Sequence, residues 1–160
     1  MPVSDLHRRV AAVALAAAAG HGFALGGGNA LLAHGVISRP TQDVDLFTDQ
    51  EHGVQAAAGA VDAALRGAGF VAVRQGQAGG LSDMFPDIGE GLAVWVVTAA
   101  GGEQMLLQLA YFDRGCQPVV MMDIGPVLDL EDAVGGKVCA LVQPGRAAGL
   151  RRRGCGAGAL

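Results

Sequence analysis

At 160 residues and 51% hydrophobic content, the chain is long enough for one globular domain with a sizeable core and too apolar for disorder. A formal net charge of -4 excludes an overall basic footprint, so a nucleic-acid partner would be held by a local cluster or through metal ions. Three cysteines, Cys116, Cys139 and Cys155, show no CxxC spacing and no nearby His pair, which argues against a disulfide framework or a zinc site and for a reducing, cytoplasmic compartment. In chain order, Ser4 can cap a helix built on the alanine-rich run 11–19, which stops near Gly20 to Gly22. That run follows His7, Arg8 and Arg9, but it is Ala-rich rather than Leu-rich and no clear cleavage site follows it, so helix is preferred to a signal peptide. No run reaches the roughly 18 strongly apolar residues of a membrane span.

A short strand follows at Phe23 to Leu25, broken by Gly26, Gly27 and Gly28, and "NALLAHG" supplies about two helical turns closed by Gly35. Asp43 to Phe47 reads as the second strand. Gln50 to Gly67 returns to helix, with Val54, Ala58, Val61 and Leu65 at helical spacing, and "GFVAVRQ" is extended again. "GLAVWVV" and "QMLLQLAYF", joined at Gly101 and Gly102, read as a β-hairpin that places Trp95, Tyr111 and Phe112 in the core. A further strand at Val119 to Met122 precedes a helix opened by Asp129 or Glu131 and running through Leu141. No internal repeat is present. The order predicts an α+β domain over 1–142, with a mixed sheet flanked by helices.

The chemistry concentrates in "FALGGGNALLAHGVISRPTQDVDLFTD". Alternation along a strand puts residues i and i+2 on one face, roughly 6.5 to 7 Å apart at Cα, so Asp43 and Asp45 project together while Val44 and Leu46 point into the core. Two adjacent carboxylates repel, and a hard cation such as Mg²⁺ offsets that while leaving sites for phosphate oxygens. Gly27 and Gly28 bring backbone N–H groups to the start of the next helix, where partial positive charge favours a phosphate. A phosphate cradle beside a metal pair suits nucleotidyl transfer. Taken singly, a triple glycine is explained by a turn and an Asp-x-Asp by the surface; the spacing of the two together carries the argument. A dinucleotide-binding reading lacks the third glycine of that fingerprint.

"GGGNALLAHGVISRPTQDVDLF" resembles the Gly-Gly, spacer, Asp-x-Asp signature of the DNA polymerase β-like nucleotidyltransferase superfamily, and within it the AbiEii/AbiGii toxin family that includes the MenT-type tRNA-modifying toxins. The likeness extends through "YFDRG" and "IGPVLDLEDAVGGKVCAL". It implies a nucleotidyltransferase sheet, Mg²⁺, an NTP donor, an RNA acceptor such as the 3′ end of tRNA, and a partner antitoxin. By that resemblance Gly27 and Gly28 match the phosphate-loop glycines, with Asn29 where the family often has Thr or Ser. Asp43 and Asp45 match the metal-binding catalytic pair, and Lys137 matches a lysine expected at the triphosphate. Without the resemblance Lys137 can be read as merely snorkelling from an apolar helix, and Arg39, just before Pro40 and Thr41, can contact a phosphate or pair with an aspartate. With Asn29 and Thr41 these complete the expected nucleotide-binding set. His21 reads as a helix-end residue and His34 as a surface group.

Two departures stand out. Superfamily members often carry a third carboxylate on a later strand, where "LLQLAYF" offers Gln108 and Ala110. From about Gln143 the composition shifts to Arg, Gly and Ala without apolar periodicity, as an out-of-frame reading of a GC-rich gene would produce. Residues 143–160 are therefore expected to form an irregular basic tail, solvated or touching RNA through Arg146 to Arg153, in place of the family's Arg-Asp-x-x-Asp segment. The alternative expectation for function is thus a weak or inactive remnant that binds nucleotide or a protein partner without turnover.

Overall fold

The computed structural model describes residues 3–76, 91–113 and 119–142. Helix α1 spans Asp5–Ala17, with the Ser4 hydroxyl accepting the His7 N–H at 3.2 Å as its cap, and a 3-10 turn follows at Ala19–His21. Strand β1 is only Ala24–Leu25, and α2 runs Gly27–Ala33, two residues earlier than expected at its start. Strand β2 is Asp43–Thr48. Helix α3 begins at Gly53 rather than near Gln50, because the Thr48 hydroxyl accepts the Gln50 N–H at 3.1 Å and holds a turn there, and it ends at Gly67. Strands β3 (Val71–Arg74), β4 (Leu92–Thr98) and β5 (Gln104–Tyr111) follow, the last two forming the expected hairpin. A second, shorter hairpin joins β6 (Val120–Met122) to β7 (Gly125–Val127), and α4 covers Leu130–Val142. Asp129 caps α4, its carboxylate accepting the Glu131 N–H at 2.9 Å.

Among the described residues the strands form one mixed sheet in the order β3-β4-β5-β2-β1-β7-β6. The pairs β2/β5 and β1/β7 are parallel and the others antiparallel. Burial divides the sheet by its two-residue period. Val44, Leu46, Leu107, Leu109, Ala93, Trp95 and Val97 form a sealed face, packed with Val10, Ala14 and Leu15 of α1 and Val54, Ala58, Val61 and Leu65 of α3. Each fully buried leucine or valine contributes about 1.5–3 kcal/mol. Alanines at the α1/α3 contact let the two helices lie close together over this face. The alternate residues of β2, β4 and β5 are half-buried or exposed, so among the described residues the opposite face is the more open one.

Trp95 is fully buried, as expected, whereas Tyr111 and Phe112 are half-buried. The Trp95 indole N–H donates to Asp62 Oδ1 at 3.2 Å, and Asp62 also pairs with Arg66 one helical turn on, at 3.2 Å. Asp62→Ala is expected to lower unfolding stability by about 1–3 kcal/mol, because it orphans a buried donor. Arg66→Ala, which breaks only an exposed i,i+4 pair, should cost no more than about 0.5 kcal/mol. Parallel urea titrations of the two variants check the difference.

His34 departs from the surface role expected of it. It is half-buried at the end of α2, and its Nε2–H donates to the Leu128 carbonyl at 2.8 Å, tying α2 to the segment that enters α4. Of the sequence expectations, those for Cys116, Cys155 and the 143–160 tail lie outside the described residues, as does part of "YFDRG". Among the described residues no helix is long and apolar enough to cross a membrane.

Candidate active site

Strand β2 sets the site. Its burial alternates from half-buried Asp43 and Asp45 to fully buried Val44 and Leu46, so both carboxylates emerge on the open face, as the strand period requires. The parallel register pairs Asp43 with Leu106 and Asp45 with Gln108, and paired residues share a face. Gln108 therefore stands beside Asp45 on its β5 flank.

On the other flank, the turn from β1 into α2 presses its backbone onto the same aspartate. The Gly26 N–H donates to the Asp45 carbonyl at 2.8 Å. Gly27 has φ +56, and a Cβ there would collide with Asp45 Oδ2; a Cβ on Gly28 would collide with the Thr41 methyl. Only glycine permits this approach, which places main chain rather than side chain against the carboxylate.

Asn29 is fully buried behind the turn. Its Nδ2 donates to the Asp43 carbonyl at 2.7 Å and its Oδ1 accepts the Thr41 hydroxyl at 2.9 Å. These groups of Asn29 and Thr41 thus brace the turn against the start of β2. Arg39 is exposed and forms no ion pair among the described residues. Lys137 lies in α4 next to Gly136, where a Cβ would sit 3.5 Å from the Phe112 ring, and Phe112 in turn packs on Phe47 with centroids 5.5 Å apart. Helix α4 therefore runs beside the β2/β5 end of the open face; the Lys137 side chain lies outside the described set.

Sequence reasoning passed over one buried polar neighbour, His7 of α1, which interacts with the Asp43 charge and the Asn29 side chain. Its signal was available: His7 lies on the apolar stripe of Val10, Ala11 and Ala14 at helical spacing. Burial lowers its pKa from the ordinary 6.5, and the Asp43 charge and the Asn29 bond oppose that shift only in part. The folded form therefore holds His7 neutral where the unfolded chain already binds a proton. The associated stability is present above 6.5 and is lost as pH falls through the lowered folded value. In metal-free protein, His7→Gln should flatten the fall in urea stability between about pH 7 and pH 5.

The donor set fits a hard cation. Mg²⁺ is commonly held by one or two carboxylates together with waters and substrate phosphates, and Asp43 and Asp45 offer that pair on a half-open face. Among the described residues no group of three or more His, Cys, Asp or Glu side chains gathers at one place.

Two solved structures share this fold. A candidate nucleotidyltransferase from H. pylori matches the fold with a TM-score of 0.56 at 16% identity, over 86% of this chain and 60% of that one. JHP933 from Helicobacter pylori matches with a TM-score of 0.55 at 14% identity, over 86% of this chain and 58% of that one. The chain thus spans about three fifths of the length of these structures. No curated protein matches it in sequence. The family model described as nucleotidyl transferase AbiEii toxin, type IV toxin–antitoxin system, matches residues 10–153. With that match covering most of its length, including the glycine turn and both aspartates, the chain belongs to the AbiEii nucleotidyl transferase toxin family.

Proposed function

We propose that the protein is a Mg²⁺-dependent nucleotidyltransferase that moves NMP from an NTP to an acceptor hydroxyl, with the 3′ end of tRNA as acceptor, and acts in the cytoplasm as the toxin of a toxin–antitoxin pair. The observation that carries this reading is the placement of Asp43 and Asp45 together on the open face, with the Gly26 N–H bonded to the Asp45 carbonyl and Gly27 pressed against its carboxylate. Asp43 and Asp45 would hold Mg²⁺, which supplies charge neutralisation for the triphosphate. Gly27 and Gly28 present main-chain N–H groups to phosphate oxygens, and Lys137 adds positive charge from α4. The acceptor oxygen bonds to the α-phosphorus, the α–β bridging P–O bond breaks, pyrophosphate leaves and the hydroxyl proton passes to water. Asn29, Thr41 and His7 hold the turn and the start of β2 in register for that step.

Incubation with Mg²⁺, each α-labelled NTP and total tRNA, beside the Asp43→Ala/Asp45→Ala double variant, tests the reading. Label transferred by the native chain alone supports it and identifies the base. A second reading, nucleotide binding without turnover, is favoured by Gln108, an amide that cannot accept the hydroxyl proton at the position paired with Asp45. NTP binding with no transfer to any acceptor would select it.

A further inference from the structure

The open sheet face does not end at the carboxylates. Across β5, β4 and β3 the register aligns Gln108 with Val94, Leu106 with Val96, Ala110 with Leu92, and Val96 with Val73. Each is half-buried or exposed, with Val73 54% and Val71 61% accessible. The described residues of these strands put no charged side chain on this face; Arg74, the one cation among them, pairs with Trp95 on the sealed side and lies over its ring. Among the described residues the result is a neutral, mainly apolar shelf running from Asp45 towards the sheet edge, with Gln108 as its polar group nearest the carboxylates. At about 4.8 Å per strand, β5 and β4 extend it roughly 10 Å from β2, enough for a base and its ribose.

We infer that this shelf seats the terminal nucleoside of the RNA acceptor, with Gln108 hydrogen-bonding its base or ribose. The inference rests on the nucleotidyltransferase reading. In-line displacement puts the attacking oxygen opposite the leaving pyrophosphate. The glycine turn that receives phosphates flanks Asp45 from the β1 side, so the acceptor approaches from the β5 side, over Gln108. The character of the shelf agrees: apolar side chains suit the π-face of a base, and a surface without cations does not suit a phosphate backbone. Gln108 offers both a donor and an acceptor to a base edge. The shelf therefore selects the end of an RNA by its last nucleoside.

The test is equilibrium binding of 5′-fluorescein RNA octamers ending in A, C, G or U to the full chain with Mg²⁺, alongside binding of a fluorescent NTP without RNA. Gln108→Leu and Val94→Asn should each weaken octamer binding by about fivefold or more. Gln108→Leu should also narrow the difference between terminal bases, while both variants hold NTP affinity within about twofold. Thermal melting of both variants checks that they fold. Unchanged octamer binding, weakened NTP binding in its place, or a native chain that binds no octamer overturns the inference. Failure of the nucleotidyltransferase reading looks different, with octamer and NTP both bound and no label transferred.

Discussion

Asp45→Ala should reduce nucleotidyl transfer by about a thousandfold or more with the fold intact, the scale expected when a preorganised charge at a phosphoryl-transfer centre is removed. Asp45 is half-buried on the open face, so truncation opens no cavity in the core. The fold should therefore hold while metal-dependent NTP binding collapses. Asp45→Asn preserves shape and removes only charge, and it should be nearly as inactive. Label transfer and thermal melting measured side by side decide the matter: transfer retained by Asp45→Ala would remove Asp45 from its assigned metal role.

Gly27→Ala is expected to damage both stability and activity. Its φ of +56 disfavours any Cβ, and the added methyl would meet Asp45 Oδ2. Either the turn retreats or the carboxylate swings away. Strain of about 1–3 kcal/mol corresponds to a fall in Tm of several degrees for a chain of this size. A displacement near 1 Å at the metal ligand costs about a hundredfold in rate. Gly20→Ala is the matched control, since a Cβ there meets nothing within 4 Å, and it should leave transfer unchanged. Loss of transfer by Gly27→Ala with an unchanged Tm would show that the turn yields without strain and acts through Asp45 alone.

Local periodicity made much of the fold legible in advance. The Val54, Ala58, Val61, Leu65 stripe, the β4/β5 hairpin, the Ser4 cap and the shared face of Asp43 and Asp45 all follow from spacings within a few residues. Strand β7 escaped because Gly125-Pro126-Val127 reads as a turn; Pro126 has no N–H to donate, and the segment is a strand through its neighbours β1 and β6. The insertion of β5 parallel to β2, which sets Gln108 against Asp45, is a pairing across some sixty residues that no local pattern spells. Asn29 was visible as a departure from Thr or Ser, but its bond to the Asp43 carbonyl depends on the path of the intervening loop. His34 was misjudged for the same reason, its partner Leu128 lying far along the chain.

The position of β2 as the fourth of seven strands has a kinetic consequence. Amide exchange in a sheet proceeds first at its borders, where one ladder is missing and opening costs least. Here those borders are β3, with exposed Val71 and Val73, and β6, with exposed Met121. The backbone that carries Asp43 and Asp45 should therefore be among the last to exchange. Transient fraying of either border would leave the two carboxylates in register, so the site can outlast the loosening of much of the sheet around it.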